Sequence, residues 1–243
     1  MSNYAWLCEY SNYSVTKVHG IQATIPECWD AVDLFRLEQK EKAGNATDDE
    51  KQKIKMYYDL TKPFSEKWKG GEFIEGKYMP KAIFSEPNFN EPNRVLPNTN
   101  EVMFRIVGGF LIISEKIYKI ISKYNLGKTH FSQVYIYDIE TKEQLFDKPY
   151  YFMNIAEKFE FLDVANSQEI TANHYFSQQR KRWIREPKDD DIVLLSQAKA
   201  NEVDLWHDPL LNHSLFFSDR LAQSLVQSGF NKKELGLIRC VIQ

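Results

Sequence analysis

The chain has 243 residues, of which 43% are hydrophobic and 27% charged, and it carries a net charge of −3. That balance excludes an intrinsically disordered chain and a membrane-embedded one, and it gives no electrostatic reason to expect nucleic acid or an anionic membrane as the main partner. Aromatic residues reach 14%, and because their rings suit half-buried pleated surfaces they favour a sheet-rich fold.

In chain order, YAWLCEY and SVTKVHGIQATI read as short strands. The opening MSNYAWLCEYSNYSV lacks the positive start and unbroken apolar stretch of a signal peptide, and no segment approaches about 18 consecutive apolar residues, so the expected location is cytoplasmic. From Trp29 to Lys42 the apolar residues mix three- and four-residue spacings, which supports a helix. GNATDDEKQKIKMYYDL predicts another, with Thr47 as N-cap and Glu50 three residues later completing a capping box. The stretch Pro80 to Asn100 holds four prolines and five asparagines, which bias the backbone towards turns. It marks either a boundary between an amino-terminal α+β region (1–100) and a carboxy-terminal domain (101–243), or a long surface connection inside one domain.

Beyond it, EVMFRIVGGFLIIS is strand-like, SEKIYKIISKYN helical, and FSQVYIYD, KPYYFMNI and KFEFLDV are expected strands. HYFSQQRKRWI, the acidic turn EPKDDD and IVLLSQ read as a hairpin, WHDP as an Asp-Pro turn over a packed Trp206, and the closing segment as strand, helix, strand.

That closing segment matches an earlier one. Placing Ser114 over Ser218 without a gap aligns Ile113 with Phe217, Glu115 with Asp219, Ile117 with Leu221, Ile121 with Leu225, Asn125 with Gly229, and Gln133-Val134 with Leu237-Ile238. Both serines suit an N-cap, the acid that follows suits the positive end of the helix dipole, and Asn125 and Gly229 suit a left-handed helix stop. The expected fold is α+β, with antiparallel or mixed sheets, short amphipathic helices and two similar strand-helix-strand units.

LFFSDRLAQSLVQSGF, with Phe217, Ser218, Asp219, Leu221, Leu225, Gly229 and Phe230, resembles the closing signature of a large bacterial family. That family was once a domain of unknown function and is now grouped with the immunity proteins of polymorphic toxin systems, as immunity family eleven. Tyr150, Tyr151 and Asn154, then Leu162, Asp163 and Ser167, resemble its central segment, so the likeness runs from about Val102 to Gln243. The resemblance implies a cytoplasmic, non-catalytic inhibitor without a cofactor, which binds and neutralises a cognate protein toxin.

Other constellations point elsewhere. His207-Asp208 offers two adjacent ligand types for a metal-dependent hydrolase acting on a nucleotide or nucleic acid, but such a site needs further ligands and the remaining histidines are scattered. Cys8, Cys28 and Cys240 form no C-x-x-C pair and read as reduced thiols. Residues 178–188 set Arg180, Lys181, Arg182, Arg185 and Lys188 around Trp183, a mixture that suits a nucleic-acid-binding or scaffold module, or else a solvated strand edge followed by repelling acids at Asp189 to Asp191. For partner binding the candidates are Arg182, Trp183, Arg185, Trp206 and Asp208, because Trp and Arg are enriched in interface hot spots.

Overall fold

A computed structural model describes residues 2–8, 21–23, 31–69, 71–85, 103–106, 110–172, 182–184, 186–211 and 215–243. The chain forms two compact units and passes between them four times: unit 1 holds residues 1–16, 116–129 and 155–243, and unit 2 holds 17–115 and 130–154. Unit 2 therefore continues on both sides of residue 100, where the composition changes.

Unit 2 is built on a six-stranded sheet in the order β2-β3-β6-β7-β5-β4. Its strands are β2 (Ile21–Ala23), β3 (Ala82–Ser85), β4 (Met103–Arg105), β5 (Leu111–Ser114), β6 (His130–Asp138) and β7 (Tyr150–Asn154). All neighbours are antiparallel except β3 and β6. One face buries Ile83, Phe104, Ile112, Val134, Ile136 and Phe152 in a common core. Two helices are inserted between β2 and β3: α1 (Ala31–Lys42) and α2 (Asp48–Lys69). They pack through Leu34, Leu37, Ile54 and Tyr57, and Asp33 accepts hydrogen bonds from Tyr57 Oη and Lys53 Nζ, both at 2.7 Å. The expected capping box opens α2, since Thr47 N–H donates to Glu50 Oε2 (3.0 Å) and Glu50 N–H to Thr47 Oγ1 (3.3 Å).

Unit 1 contains the five-stranded sheet β10-β13-β1-β12-β11, formed by β1 (Tyr4–Cys8), β10 (Ile192–Leu194), β11 (Leu205–Trp206), β12 (Leu215–Ser218) and β13 (Leu237–Ile242). β1 lies at its centre, antiparallel to β12 on one side and β13 on the other, and four of its five residues are buried. An unbroken apolar run suits that place because both faces are covered. Leu7, Leu194, Trp206, Phe216 and Cys240 share one core. α4 (Asp219–Gln227) packs on β1 and β12. It buries Leu221, Ala222 and Leu225, its N-cap Ser218 accepts from Leu221 N–H (3.3 Å), and it stops at Gly229 with φ +93°. The short helix α3 (Glu115–Ile121) belongs to unit 1 from Lys116 onward, and a two-stranded ribbon joins β8 (Ile170–Ala172) to β9 (Arg182–Ile184).

The α+β class and both strand-helix-strand units, β5-α3-β6 and β12-α4-β13, are present. Several local expectations need correction. EVMFRIVGGFLIIS is not one strand but two antiparallel strands, β4 and β5. KFEFLDV forms no ladder strand; Lys158 and Leu162 make single bridges to His207 and Leu194, so the segment lines sheet edges. β9 does not pair with β10. Asp190 N–H donates to Arg239 O (2.8 Å) and Arg239 N–H to Asp189 Oδ1 (2.8 Å), and this anchorage sets β10 parallel to β13. Ser114 stands at the start of α3, but its buried Oγ has no partner among the described residues, and Asn125 has no left-handed backbone; Gly127 takes that conformation instead, at φ +55°.

Candidate partner-binding site

The partner-binding candidates fall in unit 1, some on its interior and some on the ribbon. Trp206 is 2% exposed, stacked on Phe216 (centroids 5.7 Å apart) and edge-on to Phe161 (6.1 Å). Such a ring stabilises the core by roughly 2–3 kcal/mol through burial. It also forms part of the wall of a cleft of about 220 Å³, shared with Tyr4, Lys199, Asn201, Asp219 and Arg220. Its Nε1–H has no acceptor among the described residues.

Asp208 is 1% exposed. Its Oδ2 accepts N–H bonds from Phe161 (2.9 Å) and Leu162 (2.8 Å), and its Oδ1 accepts from Leu210 N–H (2.9 Å). Burial pushes its carboxyl above the ordinary value, with the three donors pulling the other way. The carboxylate thus organises the turn after β11 and holds the 161–162 segment. Neighbouring His207 pairs through its backbone, donating to Glu157 O (2.9 Å) and accepting from Phe159 N–H (3.0 Å). Among the described residues no group of three or more His, Cys, Asp or Glu side chains is placed to hold a metal ion.

The backbone of Arg182 and Trp183 lies in β9, opposite Ala172 and Thr171. Their side chains, together with Arg185 and residues 178–181 of the basic run, lie outside what is described, as do Cys28, His19, His174 and His213.

A cluster missed in the sequence lies beside the cleft. Asp204 is fully buried; its carboxylate accepts from Ser218 Oγ, from Arg220 Nε (2.5 Å) and Nη2 (2.8 Å), and from Asn125 N–H (3.0 Å). One carboxylate therefore joins the loop after α3 to the start of α4. Asp219 does the same for the first strand, accepting from Trp6 Nε1 (2.8 Å) and Ser2 Oγ (2.9 Å). The only signal in the sequence was the S-D-R run at 218–220, which reads equally well as a simple helix start.

The model of the Immunity protein family (Imm11) matches residues 30–237. The chain belongs to the Imm11 immunity protein family. The Imm11 match begins well before Val102 and takes in α1, α2 and the strands from β3 to β12, whereas β1, β2 and all of β13 but Leu237 lie outside the matched residues. No curated protein matches the chain. In this Imm11 protein the family-like motif residues have folding roles. Asn154 holds the 72–74 segment, accepting from Ile74 N–H (2.9 Å) and donating to Glu72 O (3.2 Å). Asp163 accepts from Ala165 and Asn166 N–H (both 3.1 Å), and Ser167 Oγ accepts from Val193 N–H (2.9 Å). In this Imm11 protein Asn154, Asp163 and Ser167 thus hold backbone segments in place.

Proposed function

We propose that this protein binds a cognate bacterial toxin in the cytoplasm and neutralises it by occupying its surface, without catalysis of its own. The observation that carries this reading is membership of the Imm11 immunity family across residues 30–237. The net charge of −3 and the absence, among the described residues, of any helix long and apolar enough to cross a membrane are compatible with it. Asp208, the centre of the hydrolase alternative, commits both carboxylate oxygens to backbone N–H groups, which favours a folding role for the His207-Asp208 pair.

The proposed contact surface is the β8-β9 ribbon with Arg182, Trp183 and Arg185, together with the cleft that Trp206 helps to wall. The ribbon is an addition outside the five-stranded sheet of unit 1, anchored on its core by Ile170 and Ile184, and its other positions are the ones that would vary with the partner. Asp208 supports Trp206 from behind by fixing the turn that follows it. The test is co-expression with the terminal domain of a multidomain toxin encoded beside this gene. Growth is expected to be restored, and arrest despite matched expression of both proteins would reject the pairing.

A further inference from the structure

The match between Ser114 and Ser218 can be extended through strand pairing with no further choice. Once those residues are equated, each ladder dictates which residue of unit 1 corresponds to which residue of unit 2. Ile113 and Phe217 are then equivalent, and their partners on the next strand are Tyr151 and Trp6, so β7 corresponds to β1. Tyr151 pairs with Gln133 and Trp6 with Arg239, so β6 corresponds to β13. On the other side, β4 pairs with β5 as β11 pairs with β12. The parallel neighbours β3 and β10 follow, with Ile83 equivalent to Leu194. Even the outermost contact agrees: Ala23 of β2 faces Ile83 antiparallel, as Leu162 faces Leu194.

The equivalences put core on core. Phe104 matches Trp206, Ile112 matches Phe216, Val134 matches Cys240 and Phe152 matches Leu7, and every one of these is buried in the central cluster of its own unit. Bulk is redistributed between strands. Where β7 contributes Tyr150 and Phe152, β1 has Ala5 and Leu7, and the larger Trp206 and Phe216 stand opposite the places of Phe104 and Ile112. Cores tolerate such exchanges when total volume is kept. The register of the second strand differs from the gapless sequence match by two residues, because Val134 corresponds to Cys240 rather than Ile238. α4 has nine residues and α3 has seven, which accounts for that shift, and a two-residue shift leaves the inward and outward faces unchanged.

We propose that the chain is a tandem duplication of one six-stranded unit and that β1 is the last strand of the second copy, a clasp supplied from the other end of the sequence. In unit 2 the six elements follow one another in the chain as β2, β3, β4, β5, β6 and β7. In unit 1 the same succession runs from the Leu162 segment through β10, β11, β12 and β13, and its sixth strand comes from residues 4–8. Residues 242 and 3 lie side by side, with Ile242 N–H donating to Asn3 O at 2.9 Å, where unit 2 connects β6 directly to β7. The insertions are equivalent too: α1 and α2 follow the first strand of one copy, and the β8-β9 ribbon follows the first strand of the other. The duplication is a matter of chain architecture and does not depend on toxin binding.

The test is a circular permutant of the full chain, opened between Asn12 and Tyr13 and closed by a short Gly/Asn loop from Gln243 to Ser2, so that each copy becomes continuous. It is expected to fold with unchanged amide-exchange protection in β12 and β13. A chain lacking residues 1–12 is the complementary variant: it is expected to lose protection in β12, β13 and β10 while β5, β6 and β7 keep theirs, and to regain it on titration with a peptide of residues 1–12. Unaltered protection in the shortened chain, equal loss from both sheets without recovery on adding peptide, or a permutant that loses the protection of β12 and β13 would each overturn the proposal.

Discussion

Single residues carry sharply different responsibilities in this protein. Gly229 ends α4 at φ +93° with open space around the position of a Cβ, so Gly229→Ala meets backbone strain without a clash and should cost about 1–2 kcal/mol in chemical denaturation. Asp208→Ala leaves one buried and two part-buried N–H groups without their acceptor and should cost about 2–3 kcal/mol. Asp163 provides a pH signature. The amide side chain of Asn166, followed by the backbone N–H groups of Asn166 and Ala165, holds its carboxyl below the ordinary carboxylate value. Folding therefore favours the ionised form; that contribution is present above an unfolded value of about 3.9 and is lost as pH falls through the lowered folded value. Asp163→Asn should flatten the acid limb of the stability profile, measured by denaturation at stepped pH. His207-Asp208 illustrates a limit of residue-level reading: its pattern was visible, but the three N–H donors that occupy Asp208 come from residues 161, 162 and 210.

Elements were legible where local physics decides them. The capping box at Thr47 and Glu50, the start of α4 at Ser218 and its stop at Gly229 all follow from short-range hydrogen bonding and backbone preference. The two serine positions nevertheless differ in chemistry. Ser218 Oγ accepts from Leu221 N–H and donates to Asp204, whereas the buried Ser114 Oγ has no partner among the described residues. Ser218→Ala should therefore cost roughly 1–2 kcal/mol and Ser114→Ala close to nothing, as read from paired thermal or urea unfolding. Strand partners were less legible. β9 and β10 flank a charged turn that resembles a hairpin loop, yet the backbone of Asp190 is bonded to Arg239 of β13, a residue 49 positions away. Hairpin signals are local, and that hydrogen bond is not.

At the scale of the molecule, two sheets with the same strand succession are built from stretches that share few identities. The charged and aromatic ribbon residues belong to neither sheet and are the proposed means of reading the toxin. Reversing charge at Arg182→Glu with Arg185→Glu should weaken toxin binding at least about tenfold in calorimetric titration while leaving the unfolding curve within about 0.5 kcal/mol. The sequence by itself determined the α+β class, the boundaries of α4, the start of α2 and the family resemblance, because caps, stops and alternating patterns act over a few residues. Only tertiary structure decided that Trp206 is core, that Asp208 binds backbone, that unit 2 spans residue 100, and that β1 completes a sheet formed otherwise by residues 192–242. The physical reason is that a strand's pattern records which of its faces is buried, but not which distant strand supplies its hydrogen bonds.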